Sequence, residues 1–98
     1  MLFSSTTIDS ISIGTLSGLI NLTNLELVNN NLSDISPLSE LTNLTHVYLW
    51  DNSIITGVTA LTTLINAERI DLRNNSGINS ADITTLSDAL PDCTIRWP

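Results

Sequence analysis

The chain has 98 residues, 42% of them hydrophobic and 13% charged, with a formal net charge of −7. That length suits one domain over residues 1–98, and so apolar a composition argues against a disordered chain. Three arginines and no lysine exclude nucleic-acid binding by counterion release, no run of ~18 apolar residues is present to cross a membrane, and a single cysteine, Cys93, excludes an internal disulfide.

Residues 1–18 read as a degenerate or truncated first turn, with Leu2 and Phe3 closing a strand and Ile8, Ile11 and Ile13 lining an outer wall. From Leu19 the pattern firms. Because successive strand side chains alternate in direction, a strand over 24–27 puts Leu25 and Leu27 inside and Asn24, Glu26 and Val28 outside. An asparagine corner at Asn30 follows, then a return path through Leu32, Ile35 and Leu38. Strands over 46–49 and 69–72, ending at corners Asn52 and Asn75, repeat the scheme. Ile83, Leu86 and Leu90, capped by Ser80 or Asn79 and stopped by Pro91, predict a helix over 81–90. A last strand over 93–96 follows, with Cys93 and Ile95 inward.

The elements share one skeleton. Leu41 to Asn52 spells L-x-x-L-x-x-L-x-L-x-x-N, and Leu19, Leu22, Leu25, Leu27 and Asn30 recur 22 residues later as Leu41, Leu44, Val47, Leu49 and Asn52. A further 23 residues bring Leu64, Ala67, Ile70, Leu72 and Asn75, and Asn21, Asn43 and Asn66 keep the same step. Over residues 16–98 the chain resembles the leucine-rich repeat family. The tail Leu32-Ser33-Asp34-Ile35-Ser36-Pro37-Leu38 is similar to the bacterial internalin-type variant, and the helix-then-strand ending resembles ribonuclease-inhibitor-like repeats. The second turn departs from the pattern: it has one extra residue, lacks the aspartate and carries Ala60 where Pro37 stood.

The resemblance implies an α/β solenoid of about four turns, a right-handed horseshoe segment. Its short parallel sheet would line the concave face, with short turns or 3-10 segments on the convex face and one C-terminal helix. It also implies protein binding and, from the internalin type, a place at the cell surface or in a secreted protein as part of a longer chain. Stacking explains the columns, because so short a turn encloses its apolar side chains only between its neighbours. At each strand end the chain bends and leaves backbone groups that water cannot reach. Asn30, Asn52 and Asn75 are expected to satisfy them as a ladder.

No catalytic constellation is present. His46 is the only histidine, and an arrangement of His46 with Asp71 has no nucleophile motif beside it. The four glycines read as turn residues, so no cofactor is expected, and no metal, since amides outnumber carboxylates around Asp51, Asn29 and Asn74. The outward strand positions carry the remaining information. Aligning the strands gives rows of Asn24, His46, Arg69 and Asp92; Glu26, Tyr48, Asp71 and Thr94; Val28, Trp50, Arg73 and Arg96; Asn29, Asp51, Asn74 and Trp97. Trp50 should stack on Arg73, and Arg69 should pair with Asp92.

His46, Tyr48, Trp50, Asp51, Arg69, Asp71, Arg73, Arg96 and Trp97 thus form a candidate protein-binding patch, since Trp, Tyr and Arg supply most binding hot spots. The alternatives are a structural segment or cap of a longer repeat protein, and carbohydrate binding on the same face. Exposed solenoid ends also predict self-association.

Overall fold

A computed structural model describes residues 18–30, 32–54 and 56–98. The expected degenerate first turn lies outside the described residues, apart from Gly18. Four short strands, β1 (Asn24–Glu26), β2 (His46–Tyr48), β3 (Arg69–Asp71) and β4 (Thr94–Arg96), form one parallel sheet in sequential order. Asn24 lies opposite His46 and His46 opposite Arg69, so the 22- and 23-residue steps of the repeat are the register of the sheet. Beyond the strands, Leu27 N–H donates to the Tyr48 carbonyl, Leu49 to Asp71 and Leu72 to Arg96, each at 2.9 Å.

The return runs are 3-10 helices at Ser36–Glu40 and Val58–Thr63 and an α-helix at Ser80–Ala89. A 3-10 helix repeats about every three residues, so Ile35 with Leu38 and Val58 with Leu61 fall on one side, and all four are buried. Pro37, with its fixed φ and missing N–H, suits the first turn of its helix. Asn79, not Ser80, caps the α-helix, accepting from Ala81 N–H at 2.8 Å. This helix packs on the second 3-10 helix, which packs on the first.

Between sheet and return runs lies the core. Leu25, Val47 and Ile70 form one buried column, Leu27, Leu49 and Leu72 the next, and Leu41, Leu64 and Leu90 a third. Each fully buried side chain of this size contributes about 1.5–3 kcal/mol against exposure.

β4 departs from the expected alignment. Thr94 lies opposite Arg69, Ile95 opposite Ile70 and Arg96 opposite Asp71, two positions from the register read off the sequence. Cys93 N–H donates to the Leu90 carbonyl at 3.0 Å, as Ala67 does to Leu64 at 2.9 Å and Leu44 to Leu41 at 3.1 Å. Cys93 therefore continues the column of Leu44 and Ala67, where burial pushes its thiol pKa up. Ile95 fills the column of Ile70, and Trp97 comes into that of Leu72, partly buried against the core. The cause is a shortened turn: one residue separates Cys93 from Ile95, where two separate Leu44 from Val47.

The corners are held by asparagine amides. Asn52 Nδ2 donates to the carbonyls of Leu27 at 2.8 Å and Leu49 at 3.0 Å, while its Oδ1 accepts from Asn30 N–H at 3.1 Å and Leu32 N–H at 3.2 Å. Asn75 repeats this one turn later, bonding the Leu49 and Leu72 carbonyls at 3.0 Å and Ile54 N–H at 3.1 Å. Asn30 sits at the start of the ladder, half-buried, with its amide on the Val28 carbonyl. The residue before each corner takes a positive φ, 54° at Asn29 and 59° at Asp51 and Asn74, and Asn and Asp enter that region more readily than other side chains.

The extra residue of the second turn is Gly57. Asp34 still bridges Thr56 in step, and the columns resume with Ile35 against Val58, so the insertion falls between Thr56 and Val58. Gly57 takes φ 97° directly over the Asp34–Ser36 turn, and a Cβ there would lie 2.5 Å from Ser36 N. That turn is itself fixed by the Asp34 carboxylate, which accepts from the Ser36 hydroxyl and, at 2.9 Å, from its N–H. Both bonds hold the Asp34 pKa below the usual carboxylate value, the hydroxyl bond more strongly.

Gly57→Ala should destabilise the chain by about 1–3 kcal/mol through backbone strain, read as a lowered midpoint of thermal unfolding; an unchanged midpoint would show that the insertion tolerates a side chain. Asn52→Ala should cost about 1–3 kcal/mol for each backbone group it strands, and an unchanged urea midpoint would show that the ladder does not hold the corners.

Candidate functional site

The outward face of the sheet is built on β2. His46, Tyr48 and Trp50 lie two residues apart, so alternation puts all three on one side. Their rings form a line: His46 to Tyr48 at 6.2 Å with planes tilted 35°, and Tyr48 to Trp50 at 5.7 Å edge-on at 77°. Thr45 Oγ1 lies 2.9 Å from His46 Nδ1, which anchors the first ring of the line. All three residues are half-buried, leaving part of each ring to solvent.

Arg73 carries the line onto the next strand. Its guanidinium stands 5.7 Å from the centre of the Trp50 ring, the expected cation–π neighbour. It is also forked onto Asp71, with Nε 2.9 Å from Oδ1 and Nη2 2.7 Å from Oδ2. The Asp71 side chain is only 3% exposed, that of Arg73 45%. The sequence rows put Asp71 on the contact surface. It is instead buried beneath Arg73, which lies two residues on along the same face and forks its guanidinium onto the Asp71 carboxylate. Those hydrogen bonds, then the Asp71 charge, hold the Arg73 pKa above its already high ordinary value, with Asp51 adding to the effect. The pair is legible as D-x-R on one strand face, a signal that cross-strand alignment overlooks.

The remaining expected residues divide. Asp51 accepts from Asn74 Nδ2 at 2.8 Å, so their row stands. Trp97 is not in it, since the two-position shift of β4 turns it to the core side. Val28, expected outside, is 7% exposed. Arg69 faces Thr94 rather than Asp92, and among the described residues the Arg73–Asp71 contact is the only ion pair. Arg69 and Arg96 are both exposed on this face. Among the described residues no group of His, Cys, Asp and Glu could hold a metal ion, and no helix is long and apolar enough to cross a membrane. Chemically the face offers aromatic area, two exposed guanidinium groups and a rigid ion pair.

Residues 20–66 match a family model described as Leucine Rich repeats (2 copies). Internalin I of Listeria monocytogenes serotype 4b (strain F2365) is 41% identical over 70 residues, which is 65% of this chain and 4% of Internalin I. The chain thus spans a small fraction of that relative's length. The matched repeats, the similarity to a bacterial internalin and the parallel ladder of the same period place this chain in the leucine-rich repeat family, among the internalin-type repeats.

Proposed function

We propose that the chain is a protein-binding module and that the outward sheet face, as the concave side of the solenoid, is its recognition surface. The observation that carries this reading is the continuous line of His46, Tyr48 and Trp50 ending on the Arg73–Asp71 pair. Rings already packed on one another along a strand lose little freedom when a partner covers them, so contact area is converted into affinity at low entropic cost. Arg73 serves this surface by holding Trp50 in place.

A second reading has an observation of its own. A match covering 65% of the chain and 4% of Internalin I is also what a stacking segment of a much longer repeat array would give. In that case the face recognises nothing and the corner ladder is the whole purpose of the segment.

Affinity capture followed by titration calorimetry separates the two. Tyr48→Ala and Trp50→Ala should each cost a captured protein partner about 1–4 kcal/mol of binding, while Glu40→Ala and Asp82→Ala, off this face, should cost little. Binding that survives both aromatic changes and falls on altering Glu40 or Asp82 would assign recognition to another surface.

A further inference from the structure

Charge is unevenly spread over the outward face. The three arginines of the chain all lie on or just after β3 and β4, whereas Glu26 on β1 and Asp51 after β2 put carboxylates on the other side. Arg73 is committed to Asp71 and Trp50. Arg69 and Arg96 are exposed and hold no ion pair among the described residues. With Arg69 opposite Thr94 and Arg96 opposite Asp71, they are diagonal neighbours on adjacent strands, roughly 7–8 Å apart at the backbone. Two guanidinium groups at that spacing can meet carboxylates of one bound segment.

The rest of the molecule sharpens the contrast. Glu68 and Asp92 are exposed near the strip but pair with neither Arg69 nor Arg96 among the described residues, and charges farther off than about 8 Å are largely screened at physiological salt. In a chain of net charge −7, the strip from Arg69 to Arg96 is where an acidic ligand meets local attraction.

We propose that the outward face takes an acidic segment of a partner protein, its carboxylates on Arg69 and Arg96 and a neighbouring apolar side chain on Tyr48 and Trp50. The inference rests on the concave-face reading and deepens it. Glu26 and Asp51 repel the acidic end and so set which way the segment lies across the strands. Arg73 is a positioning residue here, holding Trp50 for the apolar side chain.

The test pans a phage-displayed library of random peptides on the whole chain. The enriched peptides should carry Asp or Glu beside an apolar residue. Combined Arg69→Ala and Arg96→Ala should weaken them about tenfold or more, with a smaller loss at high salt. The charge-reversed protein, Arg69→Glu with Arg96→Glu, should select basic peptides. Because neither arginine supports an internal ion pair among the described residues, both variants should melt with the parent by circular dichroism. Peptides weakened by Tyr48→Ala and Trp50→Ala but indifferent to the arginine changes would overturn the acidic partner and leave concave binding standing. Peptides indifferent to both sets, or no enrichment, would overturn both readings.

Discussion

After each of β1, β2 and β3 the chain bends sharply at the end of a three-residue strand, and it does so beside a core of leucine that offers backbone amides nothing to bond. The asparagine side chain answers that constraint. Asn52 joins the carbonyls of Leu27 and Leu49, one from the turn before and one from its own, and Asn75 joins Leu49 and Leu72 in the same way. Each asparagine thereby measures the step between turns as well as closing a corner. A second line runs at the other end of the strands, where Asn43 donates to the Ile20 carbonyl at 2.7 Å and Asn66 to that of Thr42 at 3.1 Å. With both ends of β2 and of β3 tied to the preceding turn, the leucine columns are held against slipping, and a parallel sheet of very short strands persists.

Much of this architecture is legible in the amino-acid sequence. The recurrence from Leu41 to Asn52 carries the register directly, because in a stacked repeat the sequence period and the strand pairing are one quantity. Gly57 is visible there only as one residue too many, since its position between Thr56 and Val58 depends on which columns resume after it. The register of β4 escapes the alignment for a related reason. Leu90 to Cys93 repeats the step of Leu41 to Leu44, and following that step rather than strand alternation puts Cys93 before the strand and Trp97 over the core. On the outward face the Trp50–Arg73 contact follows from register, but Asp71 shows what register alone omits. Same-strand neighbours compete with cross-strand ones for a charged group, and the two-residue fork to Arg73 wins.

That competition also shapes the proposed recognition surface. The guanidinium nearest the aromatic line is occupied within the molecule, so it stiffens Trp50 instead of reaching outward. Among the described residues the arginines that hold no ion pair are Arg69, which lies opposite His46, and Arg96 on β4. Aromatic area and exposed charge therefore lie side by side, on a sheet backed by the helix and the 3-10 runs packed against one another. The same corner bonds that hold the columns hold the strands carrying these side chains, so the proposed recognition surface takes its geometry from the ladder.

The central claim is that the corner amides belong to the cooperative core, and amide hydrogen exchange tests it most directly. Leu32 and Ile54 N–H lie in irregular backbone after the corners, where exchange would ordinarily be fast, but they donate to Asn52 and Asn75. Both should be as strongly protected as the strand amides of Val47 and Ile70, and Asn75→Ala should release Ile54 while leaving Leu32 slow. Exchange of Leu32 and Ile54 at loop rates in the parent, with the strands still protected, would contradict the claim.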